Sequence, residues 1–271
     1  VSKTIIRGAI PLKSVPAYTM LNNEIGYIKI SSFSNTTDLE FKAALQDIVN
    51  KGAKNLVLDL RFNGGGYLHQ ALNIVDEFLN KNQLIVYTEG AHSQKRSFYA
   101  TNQGLFKDGK LIILVNSSTA SASEIVSGAI QDNKRGKILG RRTFGKGLVQ
   151  QPLILPDSSE LRITTSRYYT PSGKCIQKPY GDSINYENDL FDRIESGELT
   201  NNDSMLDQSK FKGGIIPDIY SPIDTVNYND LVNKIIYTRK WRDFCFNYYE
   251  KYPNNKYSDC LLYTSPSPRD E

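Results

Sequence analysis

The run Leu111-Ile112-Ile113-Leu114-Val115 has no polar side chain and is bounded by Lys110 and Asn116. So short and so apolar a run reads as a strand covered on both faces. Covered strands belong to parallel sheets, and parallel neighbours need crossover connections, usually helices. The residues that follow fit. Ser118-Thr119-Ala120-Ser121-Ala122-Ser123-Glu124 is a stretch of mostly small residues, and Ile125, Val126, Ala129 and Ile130 then lie on one helical face. The chain passes from a buried strand through a tight turn into a helix. That turn exposes a serine at a helix N-terminus, where free N–H groups and the helix dipole favour negative charge.

The same alternation recurs along the chain. Ile25 to Phe33 reads as a strand. Thr37 and Glu40 have capping-box spacing, and Phe41, Ala44, Leu45, Ile48 and Val49 form one helical stripe that Gly52 would end. Asn55 to Leu60 is a second covered strand. It runs through Arg61-Phe62-Asn63-Gly64-Gly65-Gly66 into a helix with Leu68, Ala71, Leu72, Val75, Phe78 and Leu79 on one face. Leu84 to Tyr87 is a strand, Glu89 to Lys110 a surface loop or hairpin, and Lys137 to Gly140 another strand. Leu148–Leu155 and Glu160–Tyr169 form a hairpin around Pro156-Asp157-Ser158-Ser159. The expected class is α/β. From Gly181 to about Gly214 the chain is polar, and Leu231, Ile235, Thr238, Trp241 and Cys245 make a later helical stripe.

With 271 residues the chain can hold one large domain with appendages. Its net charge of +4 is scattered, which argues against a nucleic-acid partner. Cys175, Cys245 and Cys260 are far apart and fit neither a disulfide framework nor a metal site. With only His69 and His92 present, a histidine-built metal centre is not expected, and neither is any cofactor. Because the chain starts at Val1 rather than Met, the N-terminus reads as cut. The tail 258–271 has linker composition and reads as non-native.

A serine hydroxyl attacks well only when a neighbouring base takes its proton. His69 lies on a helix with no evident carboxylate partner, and His92 lies in a polar loop. Lys146 sits between Gly145 and Gly147, where backbone can turn tightly. A lysine is a base only when neutral, so its amine needs apolar surroundings and no carboxylate. Phe144 and Leu148 would supply them. Gln150, four residues on in an extended segment, would share a face with Lys146 and orient the amine without charging it. Gly64-Gly65-Gly66 is a phosphate cradle or merely a tight turn; in an acyl-transfer site it would be half of an oxyanion hole, with the Ala122 N–H as the other half. Tyr168 and Tyr169 pack at a strand end or wall a peptide groove. Taken singly, a Ser/Ala turn is ordinarily a helix cap and a Gly-Lys-Gly an exposed turn. Gly140 to Lys146 also matches GxxxxGK. However, Gly147 stands where a magnesium-binding hydroxyl belongs, and strand rather than helix follows, so nucleotide binding is not expected.

Five separated motifs then agree in order. They are Leu58-Asp59-Leu60-Arg61 with Asn63, Gly65 and Gly66; Ser121-Ala122-Ser123-Glu124-Ile125; Gln131-Asp132; Thr143-Phe144-Gly145-Lys146-Gly147 with Val149 and Gln150; and Arg167-Tyr168-Tyr169-Thr170-Pro171-Ser172-Gly173. Across roughly residues 25–180 the chain resembles the carboxy-terminal processing proteases, the tail-specific peptidases of Ser/Lys type, including the 25-residue step from Ser121 to Lys146. The resemblance implies Ser121 as nucleophile, Lys146 as general base, Gln150 as third member, and the Gly65 and Ala122 amides as oxyanion hole. It implies a ClpP/crotonase-like β-α spiral core over residues 23–180 and a mostly polar, partly helical C-terminal extension over 181–257. A PDZ domain precedes this core in the family, and residues 1–22 would be its trailing edge. Asn63-Gly64-Gly65-Gly66 replaces the frequent Asn-Pro-Gly-Gly.

Implied partners are protein or peptide substrates with apolar C-termini, with a homo-oligomer or an activating adaptor left open. The Asn- and Tyr-rich C-terminal part resembles versions from Bacteroidetes-type bacteria, which would place the enzyme in the periplasm or at a membrane. Two other readings share the fold: a crotonase-like acyl-CoA enzyme, and a non-catalytic peptide-binding relative.

Overall fold

A computed structural model describes residues 12–101, 103–180, 189–199 and 213–223, together with Phe244, Asn247, Tyr248 and Lys251. The chain divides into two units, residues 1–223 and 224–271. In the second, the Phe244 and Tyr248 rings stack at 6.1 Å, one helical turn apart. The stripe expected from Leu231 to Trp241 lies outside the described residues.

The first unit holds two sheets. Strands β1 (Ala17–Met20), β2 (Ile25–Lys29), β3 (Asn55–Asp59), β6 (Leu111–Val115), β7 (Lys137–Gly140) and β10 (Ile219–Tyr220) form one, in the order β1-β2-β3-β6-β7-β10. From β2 onward every pairing in this sheet is parallel, and only edge strand β1 runs antiparallel. The apolar runs occupy its middle, with Ile28, Leu56, Leu58 and Ile113 fully enclosed. Each such side chain contributes about 1.5–3 kcal/mol by leaving water. Residues 17–20 thus pair into the core sheet, on the N-terminal side of the boundary expected at residue 22.

The crossovers are helices α1 (Thr37–Asn50), α2 (Leu68–Asp76) and α3 (Ala122–Asp132). The stripe of α1 is buried at Phe41, Ala44, Leu45 and Ile48. Its expected capping box is not formed. Glu40 instead accepts the Ser14 and Val15 N–H groups on Oε2 and the Thr36 hydroxyl on Oε1. That ties the segment before β1 onto α1, a long-range use that local spacing does not reveal. Helix α2 stops before Phe78 and Leu79, which are buried all the same.

The second sheet is antiparallel. It joins β4 (Leu84–Gly90), β5 (Ser93–Tyr99), β8 (Leu148–Ile154) and β9 (Glu160–Tyr169) in the order β5-β4-β9-β8. The polar stretch after Glu89 is therefore the second arm of a hairpin. Because β8 begins directly after the Gly145-Lys146-Gly147 turn, no helix follows the GxxxxGK match. A short helix, α4 (Asp189–Glu195), lies in the polar region after the hairpin.

Candidate active site

Ser121 stands between β6 and α3, with φ 56° and ψ −116°. Positive φ in a residue with a Cβ costs about 1–3 kcal/mol and persists only where surroundings enforce it. They do so here from both sides. The turn before it is closed by Asn116, whose N–H goes to Thr119 Oγ1 at 2.9 Å, while the Thr119 hydroxyl donates to Leu60 O at 2.9 Å. Asn63 O takes the Ala120 N–H at 2.9 Å and the Ser123 hydroxyl at 3.1 Å. The glycine loop after β3 and the serine turn after β6 are thereby one hydrogen-bonded body.

Gly65 lies against the serine turn. It has φ +98°, and a Cβ there would lie 2.7 Å from Ser121 Cβ and 2.9 Å from the Ala122 N. Only glycine fits. Of the two amides expected to form an oxyanion hole, one already has an acceptor. The Gly65 N–H donates to Asn63 Oδ1 at 2.9 Å, while Asn63 Nδ2 is anchored on Ile30 O. A side-chain oxygen therefore already occupies one of the two amides.

The second half of the site is the lysine loop, and each N–H from residue 143 to 147 has a defined acceptor. Thr143 donates to Ile215 O at 3.1 Å and Phe144 to Thr119 O at 2.9 Å. Gly145 donates to Glu124 Oε1 at 2.7 Å, Lys146 to Glu124 Oε2 at 2.8 Å, and Gly147 to Gln177 Oε1 at 2.9 Å.

Glu124 links the two halves. Its carboxylate is wholly enclosed and accepts four donors. Oε2 takes the Ser121 and Lys146 N–H groups, each at 2.8 Å; Oε1 takes Gly145 N–H and the Thr143 hydroxyl, the latter at 2.5 Å. Burial pushes its pKa up, against the pull of these four hydrogen bonds. Sequence reasoning missed this role of Glu124; the Ser-x-x-Glu spacing of a capping box is the signal that could have pointed to its bond with Ser121. No local spacing signals its reach to Gly145 and Lys146.

The remaining expected residues fare differently. Lys146 is exposed, so the apolar enclosure expected from Phe144 and Leu148 is not formed. The Phe144 ring faces the Lys178 ammonium instead, at 4.2 Å. Gln150 is exposed on β8, beside a register shift against β9. Tyr168 is 8% exposed and belongs to the core, so it walls no groove. Tyr169 stacks on Tyr87 at 5.0 Å and lines a cleft of about 700 Å³ between β9 and the β4–β5 turn. His69 and His92 are both on the surface.

A charge cluster around the buried Asp59 supports the glycine loop from the end of β3. Asp59, fully enclosed, takes the Arg61 N–H at 2.9 Å, Arg61 Nε at 3.0 Å, Arg61 Nη2 at 2.7 Å and the Tyr27 hydroxyl at 2.7 Å. Burial alone would raise the Asp59 pKa, but Arg61, Tyr27 and Lys29 hold it below its ordinary 3.8. Burial, together with Asp59, pushes the Tyr27 phenol up to about 12. A depressed carboxyl adds stability above its ordinary pKa and loses it as pH falls through the folded-state value. The gap in Tm between wild type and Asp59→Asn should therefore be constant near neutral pH and shrink below about pH 4. A gap that stays constant down to pH 3 would refute this account of Asp59.

Fold and site together define a class: an α/β protein with a serine at a strand-to-helix elbow, backbone amides beside it, and a lysine loop tied to the same turn. The chain belongs to peptidase family S41, whose model matches residues 24–184. It is 42% identical over 178 residues to the carboxy-terminal-processing protease of Bartonella bacilliformis, a match spanning 64% of this chain and 40% of that protein. It is 35% identical over 175 residues to carboxy-terminal processing protease CtpA of Bacillus subtilis, covering 65% of this chain and 37% of the relative. The chain thus spans less than half the length of these relatives. Among solved structures, the photosystem II D1 C-terminal processing protease matches with a TM-score of 0.62 at 25% identity, over 85% of this chain and 54% of that one. An S41 protease structure from Bacteroides fragilis, at 17% identity, shares the fold with a TM-score of 0.58, over 79% of this chain and 52% of that one.

Proposed function

We propose that this chain carries the proteolytic centre of a carboxy-terminal processing serine peptidase, which cleaves proteins near apolar C-terminal ends. The observation that carries the reading is that one oxygen of Glu124 holds the N–H groups of both Ser121 and Lys146. Nucleophile and base would then be fixed against each other through a single buried atom. Ser121 Oγ attacks the scissile carbonyl carbon, and its proton passes to the Lys146 amine. The oxyanion is met by the Ala122 N–H and, once the Asn63 side chain releases it, the Gly65 N–H. As the intermediate collapses the C–N bond breaks, and Lys146 returns the proton to the leaving amine. A water then opens the acyl-enzyme by the same route. Gln150 orients the lysine amine.

The test uses a fluorophosphonate and two quenched peptides that differ only at the C-terminus, one ending in alanine and valine, the other in aspartates. The phosphonate should add to Ser121, as located by peptide mapping, and the apolar-ended peptide should be cut faster. Addition elsewhere would overturn the nucleophile, and equal cutting of the two peptides would overturn the substrate class.

A further inference from the structure

We propose that Arg193 and Glu198, which lie outside the segment matched to the family, are positioning residues for the lysine loop. The proposal rests on the reading of Lys146 as the base.

Arg193, on α4, is 3% exposed, and its guanidinium reaches the backbone just ahead of the lysine. Nη2 donates to Arg142 O at 2.6 Å, and Nη1 lies 3.4 Å from Thr143 O. Glu198, in the turn after α4, fixes that guanidinium by accepting Arg193 Nε at 3.0 Å. The same carboxylate takes Arg142 in a fork, Nε at 2.7 Å and Nη2 at 2.8 Å. One carboxylate thus holds two guanidiniums, one from the loop's own approach and one from α4. Lys178, 3% exposed, adds a further link. Its N–H donates to Gly145 O at 2.9 Å, and its ammonium pairs with Asp189 Oδ2 at 3.1 Å.

The two sides meet in Thr143. Its carbonyl faces Arg193, and its hydroxyl donates to Glu124 Oε1, the carboxylate that also holds Ser121 and Lys146. Residues 142–147 are therefore clamped between Glu124 on one side and the Arg193–Glu198 pair on the other. Enclosing such a charge group costs desolvation, and well-packed apolar residues would stabilise the fold as well or better. What apolar residues cannot do is donate to two successive carbonyls in fixed directions, as a planar guanidinium does. The cluster is better suited to fixing backbone position than to adding stability.

The test compares the full chain with Arg193→Gln, Arg193→Lys and Glu198→Gln. Arg162→Gln, at an exposed residue paired with Glu160 on the β8–β9 hairpin, serves as control. Amide hydrogen exchange at residues 143–147 should rise about tenfold or more in Arg193→Gln and Glu198→Gln, while β6 keeps its protection. Peptide hydrolysis should lose about ten- to a hundredfold in kcat with KM within about twofold, because misplacing a base weakens chemistry more than binding. Arg193→Lys should recover part of the loss through one carbonyl contact. Arg162→Gln should change neither readout. Unchanged exchange at residues 143–147 in both neutral variants overturns the proposal, whatever the activity. If wild type hydrolyses no peptide, the proteolytic reading fails while the exchange comparison still decides the clamp. Should Arg193→Gln not fold, Arg193→Lys, which keeps the charge and loses the fork, carries the same comparison.

Discussion

Ser121→Ala and Lys146→Ala are each expected to lower peptide hydrolysis by about 10⁴-fold or more, and the double variant by little beyond either. Groups that act as a unit are not additive, because removing either one abolishes the same proton transfer. The structure supplies the control. Ser123 stands two residues from Ser121, but its hydroxyl is fully enclosed and donates to Asn63 O. That carbonyl keeps the Ala120 N–H when the hydroxyl is removed. Ser123→Ala should therefore lose about 1 kcal/mol of stability and keep most of its activity. Initial rates on the apolar-ended peptide, read beside the Tm of each variant, separate the cases. Retention of substantial hydrolysis by Ser121→Ala or Lys146→Ala would remove that residue from the reaction. Gln150→Ala should cost less than either, since the proposed mechanism has it take no proton.

Much of this arrangement is written in local pattern. Covered strands such as Leu111–Val115 and the stripe of α1 follow from apolar spacing, and spacing is a property of neighbours in sequence. So does the elbow, because a small-residue turn between such a strand and a helix has few other conformations. What pattern does not carry is the use of a polar side chain at long range. Glu40 has the spacing to cap its own helix and instead accepts two amides some twenty-five residues away. Asn63 precedes three glycines that look free to present amides, yet its own carboxamide takes one of them. Tyr168 and Tyr169 are adjacent and chemically alike. Strand alternation turns the first into the core and leaves the second half-exposed against Tyr87. Which of two neighbouring residues faces inward depends on the register of β9 against β4 and β8, and register is settled by tertiary pairing. The family motifs placed the serine, the lysine and the glutamate in order. They did not say that the glutamate is the atom-scale link between the other two.

That link gives the second large expectation. Glu124→Gln should abolish measurable hydrolysis and destabilise the fold, although the two side chains have nearly the same shape. The carboxylate has donors on both oxygens: Ser121 and Lys146 N–H on Oε2, Gly145 N–H and the Thr143 hydroxyl on Oε1. An amide has one accepting end. Whichever way it is turned, its NH₂ faces two groups that are themselves donors, in a site with no water-accessible surface. Leaving a buried donor unsatisfied costs about 1–3 kcal/mol, so losing two predicts about 2–6 kcal/mol. The geometry names two outcomes by orientation. With the NH₂ toward Ser121 and Lys146, the strained φ of Ser121 loses its restraint and the lysine turn is pushed away. With the NH₂ toward Thr143 and Gly145, Thr143 must turn its hydroxyl away and the Gly145 N–H has no acceptor. Chemical denaturation and fluorophosphonate labelling of the same sample distinguish a destabilised site from a lost one. Glu124→Gln should still unfold cooperatively but with a lower midpoint, and Ser121 should label at a small fraction of the wild-type rate. Glu124→Asp sharpens the comparison, because it keeps two accepting oxygens but draws them back by one methylene. If Glu124→Gln labelled at the wild-type rate with an unchanged midpoint, the carboxylate would not be what holds the serine turn to the lysine loop.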